Sequence, residues 1–464
     1  MRSSFVLLAL ALSLIAYPLS FAFAQPSAAE CPDPSAEGSF IYPNTPCVLT
    51  SQGMTISFVG SELRRNGVPF TTALAATYSS TGKFWFEKQC GPDKVWYNDI
   101  ATHKPQGASP AAGNNGPIFK NATTGVGYLT TGDLFENGAS NQTWEIPPMP
   151  KGITTWCQGV IVSQPGVTID LERGARLTAS VQQSNAIIVF NKNPSHVTIR
   201  GGEIDWAVDT SSGQYRGINA GGAQDLTISG TYLHDNDFGI QASSYPSGTT
   251  RLINVVLDHN GSGANSSTTH NIYMTVGAAT DASRIDITGG GSYCTDAGGF
   301  QYKSRWPGGA WTGFVAAAPS QHALDKTVRC EESAAIDLSC GGAYTLGGNA
   351  PGTGFVAEVG PNLQNNGGVI RYGAEAKSTN CPNLGPNHVG WAVNELTMQN
   401  CWLISDHPSN TPAVFNSNNL PVKIRNCKLV NVTLPHAMDG GGNTIYPNRK
   451  AAGLAAYPAL PPPP

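Results

Sequence analysis

The sequence predicts an all-β solenoid, a parallel β-helix, with a β-rich extension or cap at its N-terminal end. Three observations predict it: charge is scarce, glycine is abundant, and short β-branched runs recur at the spacing of a coil. Charged residues are 12% of the 464, about half the roughly 25% of an ordinary soluble domain. The chain has 53 glycines and 33 prolines, both above their usual shares of roughly 7% and 5%. Hydrophobic residues still reach 40%, so the chain is not of the low-hydropathy, high-charge kind that stays disordered. Scarce Leu, Glu and Lys argue against a helical protein. A net charge of −4 offers nucleic acid no basic surface.

Residues 1–24 read as an export leader. Arg2 precedes an apolar run from Phe5 to Ala16, followed by Pro18 and the small-residue end Ala22-Phe23-Ala24, the arrangement of a cleaved signal peptide. A membrane anchor needs about 20 apolar residues, and no later stretch is long enough to span a bilayer. The expectation is a monomer, periplasmic or secreted. All 10 cysteines lie after the leader, and an even number in an exported chain suggests disulfides. No Cys-x-x-Cys pair occurs, so a zinc site is not expected.

Residues 25–158 form an N-terminal arm and β-rich cap region, with strand-like runs at Thr55–Val59 and Lys83–Phe86. The β-helix is expected over 159–435, and a proline-rich tail over 436–464. The recurring runs begin at Val167, Val197, Leu226, Leu252 and Ile285, with steps of 30, 29, 26 and 33 residues. Each is followed by Gly or Asn and then a second short run, such as Gly202–Asp205. Short strands at this period point to a solenoid. Two late segments, Asn400–Leu403 and Asn426–Leu429, share the pattern N-C-x-L at a separation of 26 residues. Neighbouring coils lie about 4.8 Å apart, so Cys401 and Cys427 either form a disulfide or stack as free thiols in the core.

Unusual polar residues collect in the middle of the solenoid. With Asn271, Lys303, Asp337 and Tyr372 as markers, four clusters follow one another at 32, 34 and 35 residues, and would stack as one polar strip. Strand alternation turns Gln301, Lys303 and Arg305 to one face. Two cations together, in a chain with 27 Lys and Arg, fit recognition of an anionic sugar. The alternative is a solvated face, or salt bridges to Asp337 or Glu375. His270 lies one coil earlier and suits acid–base work near neutral pH. Tyr273 offers a phenol or a stacking ring, and Asn271, Gln301, Arg371 and Tyr372 are candidate substrate contacts. Asp337, flanked by Ile336 and Leu338, points away from the core. Asp337 and Glu375 are also candidate ligands for Ca²⁺, which takes carboxylate oxygens.

The segments T-H-N-I-Y at Thr269–Tyr273, G-F-Q-Y-K-S-R at Gly299–Arg305, A-I-D-L-S-C-G-G at Ala335–Gly342 and Y-G-A-E at Tyr372–Glu375 carry a resemblance. Roughly 160–435 resembles bacterial right-handed parallel β-helix proteins of the pectate-lyase-like superfamily. The resemblance implies a right-handed solenoid acting on polysaccharide, as a lyase, epimerase, hydrolase or surface protein. Alginate and chondroitin lyases of this shape use a Lys and an Arg, as Lys303 and Arg305 suggest, although here both sit on one strand rather than on different coils. The adjacent aspartates of polygalacturonase-like hydrolases do not occur. An inverting pair, roughly 6.5–9.5 Å apart, stays open with Asp258 and Asp337.

The functional expectation is therefore a secreted lyase that cleaves an anionic, uronate-containing polysaccharide by β-elimination. Lys303 or His270 would be the base, Arg305 the carboxylate neutraliser and Tyr273 the proton donor. Asp337 and Glu375 would orient the cations or hold Ca²⁺. The competing classes are a non-catalytic carbohydrate-binding or surface β-helix protein and a glycoside hydrolase.

Overall fold

The structure, a computed structural model, describes residues 160–454 apart from several short stretches, the longest 318–333, and before them strand positions with Ser140 and Asn141. The expected leader, 1–24, and the chain end 455–464 lie outside the described residues.

Strands that repeat at coil spacing pair in register with the coil before and the coil after, and three long parallel sheets result. The first has ten strands, from Thr143–Ile146 to Val422–Arg425. The second has ten, from Arg176–Ala179 to Thr444–Tyr446, and the third nine, from Val160–Val162 to Val414–Phe415. Each coil visits the first, second and third sheet in turn, as in Thr198–Arg200, Glu203–Trp206 and Arg216–Asn219. This is a right-handed parallel β-helix, and its sheets reach beyond 159–435 at both ends. Ahead of it lie a five-stranded sheet over Ala29–Pro69 and a four-stranded antiparallel sheet with strands between Ser39 and Tyr128. Among the described residues no helix is long and apolar enough to cross a membrane.

Alternation at period 2 fills the bore. On the first sheet Ile169, Ile199, Ile228, Leu252, Ile287, Trp311, Leu346, Met398 and Ile424 stack in register. All are at most 1% exposed, and each buried aliphatic of this size contributes roughly 1.5–3 kcal/mol. The register corrects one spacing. Thr250, not Leu252, aligns with Leu226 and Ile285, so those coil steps are 24 and 35 residues. Leu252 and Thr250 are two residues apart and share the core face, which is why hydrophobic pattern alone misplaces the start.

The corner between first and second sheets accounts for part of the glycine excess. Gly201, Gly230, Asn254, Gly289 and Gly313 occupy equivalent positions there, all at positive φ. That conformation is open to Gly and tolerated by Asn, but costs other residues about 1–2 kcal/mol.

Candidate functional site

The third sheet turns one polar ladder outward. Gln241, Tyr273, Lys303, Asp337 and Arg371 are in register on successive coils, roughly 4.8 Å apart. Their neighbours Ile240, Ile272, Tyr302, Ile336 and Ile370 face the bore. The ladder corrects two of the four sequence markers. Asn271 aligns with Gln301 rather than Lys303, and Tyr372 with Leu338 rather than Asp337. One residue of offset flips a strand side chain to the other face. Tyr372 therefore lies in the core, where its hydroxyl donates to Gly342 O at 2.7 Å. Arg371 holds the outward place.

Lys303 and Arg305 do share a face, and both meet Glu375. Lys303 Nζ is 3.1 Å from Glu375 Oε1, and Arg305 donates to Oε2 through Nε at 2.9 Å and Nη2 at 2.7 Å. Arg305 Nη1 also donates to the Tyr273 hydroxyl at 2.6 Å. Asp337 Oδ2 sits 3.8 Å from both Lys303 Nζ and Arg371 Nη1, while neither of its oxygens receives a hydrogen bond. Beneath the cations lie rings: Lys303 Nζ and the Arg371 guanidinium are each 5.4 Å from the Phe300 centroid. Arg305 is 5.6 Å from that of Tyr273. Such cation–π contacts gain when desolvated.

Burial and charge separate the titrating groups. Burial pushes the Asp337 carboxyl above its usual range, against the pull of Arg371 and Lys303. Burial also opposes ionisation of Glu375, but Lys303 and Arg305 outweigh it and hold that carboxyl below its usual range. Burial raises the Tyr273 phenol, so it keeps its proton at neutral pH. Burial and the two nearby cations press His270 well below the usual histidine range.

His270 stands beside the ladder at the corner, 1% exposed. Its Nδ1 accepts the Phe300 N–H at 3.0 Å, which leaves the neutral ring's proton on Nε2. The resting ring thus has no free lone pair to act as base. Asn271 and Gln301 lie in a buried amide ladder between second and third sheets. Asn236, Asn260, Asn271 and Gln301 follow one another in 2.8 Å hydrogen bonds, each amide NH₂ donating to the next carbonyl oxygen. Both are fully buried, so the structure gives them the coil corner rather than the outer face.

Glu375 is carried by a turn that follows the strand Ile370–Tyr372. Its N–H donates to Ser339 O at 2.7 Å, and Ser378 N–H donates to Glu375 O at 2.7 Å. The Cys340–Cys381 disulfide, with a Cα separation of 5.5 Å, ties the turn to the end of Ile336–Leu338. Trp391 packs on that disulfide and donates from Nε1 to Arg305 O at 2.9 Å. Sequence spacing does not show the contributions of Phe300 and Trp391. Phe300 directly precedes Gln301, but only the three-dimensional contacts show it beneath two cations.

Ca²⁺ does not suit the pair Asp337 and Glu375, because each carboxylate already faces two side-chain cations. Asp258 lies on the second sheet and Asp337 on the third, so the open hydrolase pair is split between sheets. A second titratable cluster joins Glu203, Asp205 and His234, whose ligand atoms lie within 4.8 Å of one another. His234 bonds Asp235 through Nδ1 and Glu203 through Nε2, both at 2.6 Å, and Arg176 Nε donates to Asp205 at 2.8 Å. With both ring nitrogens paired to carboxylates, the imidazole is held as its cation. That leaves an ion-pair network, not a seat for a metal.

No family model, curated protein or solved structure matches the chain.

Proposed function

We propose that the third-sheet ladder binds a uronate-containing polysaccharide and cleaves it by β-elimination. The observation that carries this reading is the gathering of Lys303, Arg305 and Arg371 over Phe300 and Tyr273 on one outer face. Three cations meet two carboxylates there, and the positive surplus attracts an anion. In the elimination the proton α to the uronate carboxylate leaves, the bond to the leaving oxygen breaks, and a carbon–carbon double bond forms. Arg305 and Arg371 neutralise the carboxylate, which makes that proton acidic. Lys303 is the group placed to accept it. Tyr273, with its proton retained by burial, protonates the leaving oxygen. Export through the leader 1–24 and the disulfide-bonded coils suit an enzyme that meets polymer outside the cell.

A second reading, binding without cleavage, is favoured by the ion pairs that already engage Lys303 and Arg305. Incubation with a panel of polyuronates, followed by ultraviolet absorbance of the unsaturated product, decides between them. Lysis yields the absorbance, and Lys303→Ala lowers the rate by about 10²-fold or more. New reducing ends without absorbance would mean hydrolysis. Retention of polymer with no products would mean a binding protein.

A further inference from the structure

We propose that Glu375 is a built-in competitor for the ligand: its carboxylate occupies the seat on the Arg305 guanidinium, beside Lys303, where a ligand carboxylate docks, and binding swings it out. The inference rests on the reading that the ladder binds a carboxylate-bearing sugar. Lys303 Nζ on one oxygen, with Nε and Nη2 of Arg305 on the other, is the geometry in which such cations hold any carboxylate. A ligand anion and Glu375 cannot both occupy it.

Of the two acids at the site, Glu375 is the one able to yield. Asp337 sits on a central strand between core residues, fully buried. The Glu375 side chain is 22% exposed and stands on a turn, so water is available to solvate it once it leaves. Its backbone stays in place, pinned through Ser339 and Ser378 and by the Cys340–Cys381 disulfide. The movement is therefore a change of rotamer, not an opening of the turn. Arg305 keeps Tyr273 as a partner through Nη1 and stays aimed at the vacated seat. The resting state then lowers apparent affinity by the fraction of molecules in which the seat is free.

The test is calorimetric titration of wild type, Glu375→Gln and Glu375→Ser with an oligogalacturonate and an oligoalginate at neutral pH. Circular dichroism checks that each variant keeps its sheets. Gln keeps the shape without the charge, and Ser removes the arm. The expected result is binding about tenfold tighter in both variants. Equal or weaker binding in the variants, with binding lost in Lys303→Ala, overturns the competitor role and leaves the anionic-sugar reading standing. Failure of every protein to bind either oligomer removes that reading and this inference together. A ligand-free measurement stands beside it: acetylation of Lys303 by acetic anhydride, followed by mass spectrometry. The rate should rise in Glu375→Ser, because the amine loses its clamp, and an unchanged rate counts against displacement.

Discussion

Asp337 and Glu375 face the same lysine and are displaced in opposite directions. The difference lies in how each is held: Glu375 has an ammonium at 3.1 Å and a guanidinium at 2.7 Å, whereas the cations around fully buried Asp337 stand off at 3.8 Å. Charge wins at the first carboxyl, and desolvation wins at the second. A carboxyl held below its usual pKa in the folded state adds stability above the unfolded value and loses it as pH falls through the folded one. Denaturant titrations should therefore show Glu375→Gln less stable than wild type at neutral pH, with the gap closing in acid. His234 has the opposite sign. Burial disfavours its charge, but the bonds to Asp235 and Glu203 prevail and raise it to about 9. Its contribution is complete below about 6.5 and disappears as pH rises through about 9. Proton-resolved NMR of the ring should give a midpoint near 9, and a midpoint near that of free histidine would dissolve the ion-pair network.

At the scale of elements, the described C-terminal segment joins the second sheet through the strand Thr444–Tyr446, and one side chain beyond that strand pins it to the same sheet again. Arg449 pairs with Glu358 on the strand Val356–Val359 and with Asp406 beyond Trp402–Ser405, the latter at 2.9 Å. Glu358 is fully buried, and burial raises its carboxyl to about 7 against the pull of Arg449. Removal of the cation strands a buried acid, so Arg449→Ala should cost about 3–5 kcal/mol in urea unfolding. A cost below about 1 kcal/mol, as for exposed pairs, would show the tie to be incidental. The strands themselves were legible, because β-branched runs ending in Gly or Asn report both the core stack and the left-handed corner. Register was not. Sequence spacing placed Tyr372 beside Asp337, but coils carry unequal insertions, and one residue of slip moves a phenol from the outer face into the bore. The face shared by Lys303 and Arg305 was readable because both lie within one short run. Their partner Glu375 was named, yet the salt-bridge alternative could be settled only in three dimensions, across 70 or more residues of chain.

Over the whole molecule, stability passes from coil to coil, because backbone pairing joins each coil to its neighbours along the axis, and side-chain contacts such as Glu375 with Lys303 and Arg305 reach one coil further. Such a stack is open to peeling from an end. The Cys401–Cys427 disulfide joins equivalent positions on adjacent coils, with a Cα separation of 4.5 Å and 26 residues between them. Of the two arrangements left open by the repeated N-C-x-L pattern, the covalent one is present. Its consequence is mechanical. A pull on the C-terminus loads the last coils along the stacking direction, and the cross-link withholds one whole coil from the length the chain can pay out. At roughly 3.3–3.6 Å per extended residue, reduction should lengthen the force-extension trace by about 90 Å. Equal contour lengths with and without reductant would mean that the last coil is free to unwind in either state.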